Sequence, residues 1–339
     1  SNNVLVGYGA GDTIAAGQTT TDGTVGVGYN ALTALTTGAG NTAVGYQALL
    51  NQTTGGNNTA IGHQSMADCV NVGADDNTCV GFRSGYDMGS FASHSNTFIG
   101  TYAGGGTWVT AATIKSTAVG YGAMGAALNT ANDDTCMGYN ALGAITTGND
   151  NVAIGSNAGD TITTGSENTC IGYNCDVSAS GAVDQIVIGN NVTGVADAAC
   201  HIGSGSRHIR CDYESDQTWD APSDERIKTV TGDSPLGLDF INDFPVITYN
   251  WKAPSEYPKE FNDYNADKTE PSDALQHHGV TAQSVKAALD KIDGVTDFSG
   301  WDEDPDGMQT IGESAFVYPL IKAVQELSAK VEELEAKLK

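Results

Sequence analysis

The sequence predicts a mainly β protein in two parts. Residues 1–210 read as a β-solenoid or β-roll repeat shaft, and residues 223–339 as an α+β domain. The last stretch of that domain, 315–339, reads as a coiled-coil helix, and 211–222 as a polar linker ending in Pro222. Three observations carry this reading. A Gly recurs through the first 210 residues at intervals of 14 to 21, most often 17. A short β-branched run precedes each of these glycines. All eight Pro and eleven of the fifteen basic residues, the content of an ordinary α+β domain, come only after residue 210.

The repeat is anchored at Gly7, Gly28, Gly45, Gly62, Gly81, Gly100, Gly120, Gly138, Gly155, Gly172, Gly189 and Gly203. Fixed periodicity of this kind marks a stack in which each unit buries its apolar face against the next. The residue before each Gly is Val, Ile or Met, and the residue three before is Thr, Val or Ile in eleven of the twelve units. Ala or Cys usually stands between them. Branched side chains fit a pleated surface, so each unit contributes a short strand. Both faces of that strand are apolar or small. A strand of this type is covered on both sides; one face fills the coil and the other packs against a neighbouring chain. The Gly marks a tight corner or a close backbone approach. An aromatic often follows, as at Tyr8, Tyr29, Tyr46, Phe82, Tyr121, Tyr139 and Tyr173. Asn, Gly and Thr between the strands supply turns. The insertions 84–95 and 103–116 are expected as longer exposed loops, where recognition concentrates.

Charge excludes several classes. The chain has 15 basic and 41 acidic residues, a net charge of −26. Only Arg83, Lys115, Arg207 and Arg210 are basic before residue 211. Such a chain repels phosphate backbones and anionic lipid, so neither nucleic acid nor membrane insertion is expected. No apolar run has transmembrane length, and the N-terminal SNNVLVGYGAG lacks the basic and apolar parts of a signal peptide.

No cofactor or metal is expected. The seven Cys are an odd number, and Cys79, Cys136 and Cys170 stand where other repeats carry Ala. They read as core fillers in a reducing compartment. Cys170 with Cys175 lacks His partners for a zinc site. The acidic turns at Asp75–Asp76, Asp133–Asp134, 149–151 and 302–307 have no EF-hand spacing and read as solvated turns. His63, His94 and His201 lie in the repeats, where threefold symmetry could gather copies on the axis as an ion site, although surface or packed His is the commoner case; His277 and His278, which could adjoin a Ser–Lys site, are read as structural. The fourteen acids of residues 1–210 form no sugar-cleaving constellation with aromatics and Arg. The regular Thr positions suggest ice binding only if exposed, and they belong to strands that read as buried.

In the C-terminal stretch, Val317, Leu320, Val324, Leu327, Val331, Leu334 and Leu338 alternate three and four apart. That is a heptad seam flanked by Glu and Lys. Pro319 suits the first turn of this helix. The competing reading is an amphipathic helix docked on its own domain.

The stretch SDERIK, 223–228, taken alone reads as a helix start, with Ser223 as N-cap and Asp224 and Glu225 near the positive end. Its neighbours add to this. SDERIK is followed by DFPVITYNWK (243–252), GVTAQSV (279–285) and YPLIKAVQEL (318–327). Four landmarks in this order, over roughly 220–339, resemble the endosialidase-type intramolecular chaperone domain at the C-termini of phage tail spikes and fibres. The TAVG and TAIG units resemble head repeats of trimeric autotransporter adhesins and repeats of phage tail fibres, both homotrimers. Two departures stand out: Ser284 occupies a place where the family usually has an acid, and 253–276 reads as an enlarged loop.

The resemblance implies self-cleavage at the Ser223–Asp224 junction, with Ser223 as nucleophile and Lys228 as base. A Ser hydroxyl needs a neighbour to take its proton. A Lys does so only when burial disfavours its ammonium. The implied whole is a homotrimeric distal tail fibre in a virion, assembled in the host cytoplasm. It would bind a host surface receptor, a glycan or an outer-membrane component. A bacterial trimeric adhesin and a polysaccharide-degrading spike are the alternatives.

Overall fold

The computed structural model describes residues 2–14, 20–70, 73–89, 91–108, 111–205, 207–213, 219–220, 225–295 and 297–338. The chain divides into two compact units, Ser1–Asp224 and Glu225–Lys339.

The first unit is a β-solenoid. Its strands are β1 (Val4–Val6), β2 (Val25–Val27), β3 (Thr42–Val44), β4 (Thr59–Ile61), β5 (Thr78–Val80) and β6 (Thr97–Ile99). They continue as β7 (Thr117–Val119), β8 (Thr135–Met137), β9 (Val152–Ile154), β10 (Thr169–Ile171), β11 (Gln185–Asn190) and β12 (Ala199–Ser204). Each pairs in parallel with the next, in strict sequence order. Register is fixed by the repeat: Thr42 lies opposite Thr59, Thr59 opposite Thr78, and Thr78 opposite Thr97. β13 (Arg207–Asp212) folds back antiparallel on β12, and β14 (Trp219–Asp220) pairs with β13. The sheet therefore runs on into 211–222, the stretch read as a linker from sequence.

Side chains alternate across the three-residue strands as the pleat requires. The central residue points into the coil: Ala43, Ala60, Cys79, Phe98, Ala118, Cys136, Ala153 and Cys170 are all fully buried. The flanking Thr and Val or Ile face outward. Ile61, Ile99, Met137 and Ile154 keep 39 to 55% of their surface exposed in the single chain. Small central residues leave room for Leu32, Leu49, Met66, Met124 and Leu142 from the opposite wall, all fully buried.

The corner glycines stack directly on one another. Gly45 has φ +142, and a Cβ there would lie 2.3 Å from the Gly62 carbonyl oxygen. Only Gly permits both that conformation and that approach.

Beside the strands runs a buried polar ladder: Asn41, Asn58, Asn77, Asn96, Ser116, Asp134, Asn151, Asn168 and Gln185, all fully buried. The Asn58 Oδ1 accepts from the backbone N–H and the Nδ2 of Asn77, each at 3.0 Å. Its own Nδ2 donates to Asn41 Oδ1 (3.2 Å) and to the Ala74 carbonyl (2.7 Å). A buried amide is tolerated because each rung satisfies its neighbour. Asn58→Ala is expected to leave the Asn77 N–H and the Ala74 carbonyl without these partners. At about 1–3 kcal/mol for each orphaned group, the local loss is several kcal/mol. Hydrogen exchange should accelerate in β4 and β5 and leave distant turns unchanged.

The expectation of longer exposed loops at 84–95 and 103–116 is corrected for their described residues. Met88 and Trp108 are buried in the coil. Bridges Cys69–Gly89 and Asp87–Thr107 extend the parallel stacking through these insertions. A large apolar side chain inside each insertion draws it back against the wall.

The second unit is a small α+β arrangement. It holds α1 (Leu238–Asn242), the antiparallel pair β15 (Ile247–Tyr249) and β16 (His277–Gly279), and α2 (Ala282–Leu289). The hairpin β17 (Trp301–Glu303) with β18 (Gln309–Ile311) follows, and then α3 (Val317–Leu338). The core is aromatic: Phe240 meets Phe244 at 5.1 Å and Phe298 at 5.7 Å, and Phe298 meets Phe316 at 5.3 Å. Val285, Ala288 and Leu289 of α2 complete it. Pro319 lies in the first turn of α3, where its missing N–H costs nothing.

Candidate functional site

Three features bear on function: the segment around Lys228, the outward face of the solenoid, and α3.

Ser223 and Asp224, the implied nucleophile and cleavage junction, lie outside the described residues. Lys228 is described. It follows a single 3₁₀ turn, Glu225–Ile227, and its backbone N–H donates to the Glu225 carbonyl at 3.1 Å. Its side chain is exposed in the single chain.

Other landmarks of the C-terminal half occupy defined places. DFPVITYNWK leads from the end of α1 through β15, and GVTAQSV forms the end of β16 and the start of α2. Thr281 caps α2: its Oγ1 accepts from the Ser284 N–H at 3.2 Å. Ser284 stands at the third helical position, where an acid would complete a capping box; its hydroxyl instead donates to the Thr281 carbonyl at 2.8 Å. Residues 253–276 form a loop closed on itself, with the Ser255 N–H on the Lys268 carbonyl (3.0 Å) and the Asn265 N–H on the Pro254 carbonyl (3.2 Å). Glu326 of α3 reaches back to α1, its Oε2 accepting from the Leu238 N–H at 2.8 Å.

The histidines named from sequence are not brought together. His63 belongs to an aromatic stack on the solenoid, and His94 meets Ser95 at 3.2 Å. His201 is buried in β12, where desolvation, then His208 and Arg210, hold its pKa below the usual value. His277 pairs with Asp273 at 3.0 Å and stacks on Tyr249 at 5.4 Å. The hydrogen bond from His277 holds the Asp273 carboxyl below the ordinary range. Asp76, Asp133 and Asp150 occupy left-handed turn positions, φ 60°, 55° and 59°, a conformation Asp tolerates well. Among the described residues, no three His, Cys, Asp or Glu side chains cluster as a metal site. No helix among the described residues is long and apolar enough to cross a membrane.

The outward solenoid face carries two parallel apolar columns. One is the Val, Ile and Met residues before the corner glycines. The other is a continuous stack, with ring centroids 5.5 Å apart for Tyr8–Tyr29, 5.3 Å for Tyr29–Tyr46 and 4.8 Å for Tyr46–His63. It continues through Phe82, Tyr102, Tyr121 and Tyr139. The sequence marks six of these rings as the aromatics that follow the corner glycines; it gives no sign that they stack, or that His63 and Tyr102 join them.

α3 docks on its own unit through its first three turns, where Pro319 and Ala323 are buried and Glu326 meets α1. The heptad seam is left uncovered: Val324 is 61% exposed, Leu327 51%, Val331 47% and Leu334 60%. The reading of this seam as a face docked on its own domain is thereby corrected. An apolar column of this length facing solvent is unusual for a helix of a single folded chain.

No curated protein and no solved structure matches the chain. Residues 223–293, which run from SDERIK through α1, the β15–β16 pair and α2, match the family model described as chaperone of endosialidase.

Proposed function

We propose that this chain is the distal part of a phage tail fibre or spike. It acts as a homotrimer. The solenoid shaft presents a surface for a host receptor, a glycan or an outer-membrane component. Residues 223–339 act as an intramolecular chaperone that sets the trimer register and then cuts the chain between Ser223 and Asp224. The protein resides in the virion and assembles in the host cytoplasm. The observation that carries the reading is the chaperone-of-endosialidase match at 223–293, placed between a β-solenoid and a helix whose heptad seam is uncovered.

The physical motive is register. A solenoid with apolar columns along its outer face offers many nearly equivalent pairings with a second copy, offset by one turn. Bringing three chain ends together first removes much of the entropy cost of the correct one. Cleavage after assembly separates the shaft from the device that built it and leaves the fibre kinetically trapped. Lys228 as base fits this order. It is exposed in the single chain, and a lysine base requires desolvation, which neighbouring copies in the trimer supply. Ser223 Oγ then attacks the carbonyl of the Ser223–Asp224 peptide bond as Lys228 takes the hydroxyl proton. The C–N bond breaks, the Asp224 nitrogen leaves as an amine with the proton Lys228 returns, and water hydrolyses the ester to free the Ser223 carboxylate and restore the hydroxyl.

Intact mass of freshly expressed protein tests this beside Ser223→Ala and Lys228→Ala. The parent should yield fragments of 223 and 116 residues from the 339, and both variants should stay whole. A parent that remains whole as an assembled trimer would remove the dyad and leave a permanent clamp. A parent found only as a monomer would remove the chaperone reading too.

A further inference from the structure

The polar ladder contains one rung of the wrong chemistry. In the Asn rungs, Nδ2 donates to a backbone carbonyl three residues before the next rung: Asn41 to Gly55 (2.8 Å), Asn96 to Thr113 (2.8 Å), Asn151 to Gly165 (2.9 Å) and Asn168 to Ala182 (2.7 Å). By that register the acceptor for rung 134 is the Gly148 carbonyl. Residue 134 is Asp, fully buried. Its Oδ1 does the work of an Asn Oδ1, accepting from the Asn151 N–H at 2.9 Å and from Asn151 Nδ2 at 3.0 Å. Its Oδ2 takes the place of the donating amide and has no partner among the described residues. An ionised carboxylate has no proton to donate. By that register two oxygens would then face each other in a fully buried site, an arrangement that buried polar groups avoid.

We propose that Asp134 is carried in the folded shaft as a neutral carboxylic acid, whose Oδ2–H replaces the missing amide donor, so that the joint between β8 and β9 weakens as pH rises.

The surroundings agree. Burial is the main force favouring the protonated form, and it pushes the Asp134 carboxyl up to about 7. The bonds from Asn151 oppose this. Asp150 in the next turn and Asp133 beside it favour the neutral acid again. Lys115, in the turn before, lies 3.9 Å from Asp133 rather than against Asp134. Cys136, inside the coil, is a buried thiol raised well above its usual value. The preceding rung is Ser116, whose hydroxyl donates to Ala131 (3.1 Å) and Ile114 (3.3 Å) and accepts from the Asp134 N–H at 3.4 Å. No donor from that side compensates the carboxyl.

The direction of the pH effect follows. The folded state holds this proton more tightly than the unfolded chain, whose Asp titrates near about 3.9. The stabilisation is complete below the unfolded value. It declines as pH rises toward neutrality and is gone above the folded value.

The test is hydrogen exchange of the full 339-residue chain between pH 5 and pH 8, corrected for intrinsic rates, beside Asp134→Asn. In the parent, protection of β8 and β9 should fall by about tenfold or more relative to the variant. Asp134→Asn restores the repeat residue and should hold its protection at pH 8. Comparison with the variant cancels the response of the other acids. Infrared difference spectra give a second reading: at pH 5 the parent should show a protonated-carboxyl band that Asp134→Asn lacks. Equal pH slopes in the two proteins, or no such band, would overturn the proposal.

Discussion

Gly120→Ala is expected to open the middle of the shaft. Gly120 has φ +140, and a Cβ there would sit 2.2 Å from the Gly138 carbonyl oxygen and 2.7 Å from its carbon. Both contacts are backbone, so no side chain can rotate away. The conformation itself costs about 1–3 kcal/mol for a residue other than Gly, before the clash is counted. Relief by displacement is blocked from both sides. The Gly120 N–H donates to the Ile99 carbonyl and the Gly138 N–H to the Val119 carbonyl, each at 2.8 Å. Pushing one corner outward therefore breaks the ladder above and below it. A total of about 4 kcal/mol or more puts this among the most damaging single changes. Two positions on, Gly122→Ala is the control. Gly122 is also left-handed, φ +63, yet its Cβ would meet nothing closer than Asn140 Oδ1 at 3.8 Å, so the cost is about 1–2 kcal/mol. A solenoid opens locally, so hydrogen exchange across β6 to β8 is a better reading than a single melting temperature. Equal loss of protection in the two variants would show that close stacking of the corners does not hold the shaft.

The contrast between these glycines shows what was legible in the sequence and what was not. Period 17 and the Thr-Ala-Val-Gly pattern locate the strands and the corners, because periodicity survives translation into structure when each unit contacts only its neighbours. The buried Ala and Cys column and the uncovered heptad seam follow from the same alternation rules. The ladder did not. Asn41, Asn58, Asn77 and Asn96 each precede a Thr, but an Asn beside a turn ordinarily signals turn chemistry. Its burial becomes favourable only once its copies stack, and that is a property of the assembled coil. Asp134 is invisible from sequence for the same reason: beside Asp133 it reads as half of a solvated acidic turn, whereas one of the pair faces out and the other is a rung. The insertions misled in the opposite direction. Their length suggested exposed loops, but Met88 and Trp108 have an apolar wall to join and fold inward. At the proposed cleavage site the sequence names Ser223, Asp224 and Lys228, and only Lys228 falls among the described residues.

Leu327→Asp is expected to dissociate the assembly. Leu327 is the middle layer of the seam and is 51% exposed in the single chain. The residues around it on α3 offer no cover, since only Pro319 and Ala323 of that helix are buried. Each seam Leu or Val placed in a coiled-coil core contributes about 1.5–3 kcal/mol, and a threefold layer counts it three times. The Asp variant removes that contribution and brings three carboxylates together on one axis, where desolvation and mutual repulsion add to the loss. Sedimentation at micromolar concentration should show the parent as a trimer and the variant as a monomer. Glu333→Gln is the control. It loses only the exposed pair with Lys337 on the same helix, about 0.5 kcal/mol at most, and should remain trimeric. The two variants also separate assembly from chemistry. If desolvation of Lys228 comes from neighbouring copies, Leu327→Asp should stay as a 339-residue chain with its Ser and Lys intact, while Glu333→Gln cuts like the parent. A Leu327→Asp monomer that still cuts would show that one chain is enough to activate the base, and the link between cleavage and completed assembly would fail.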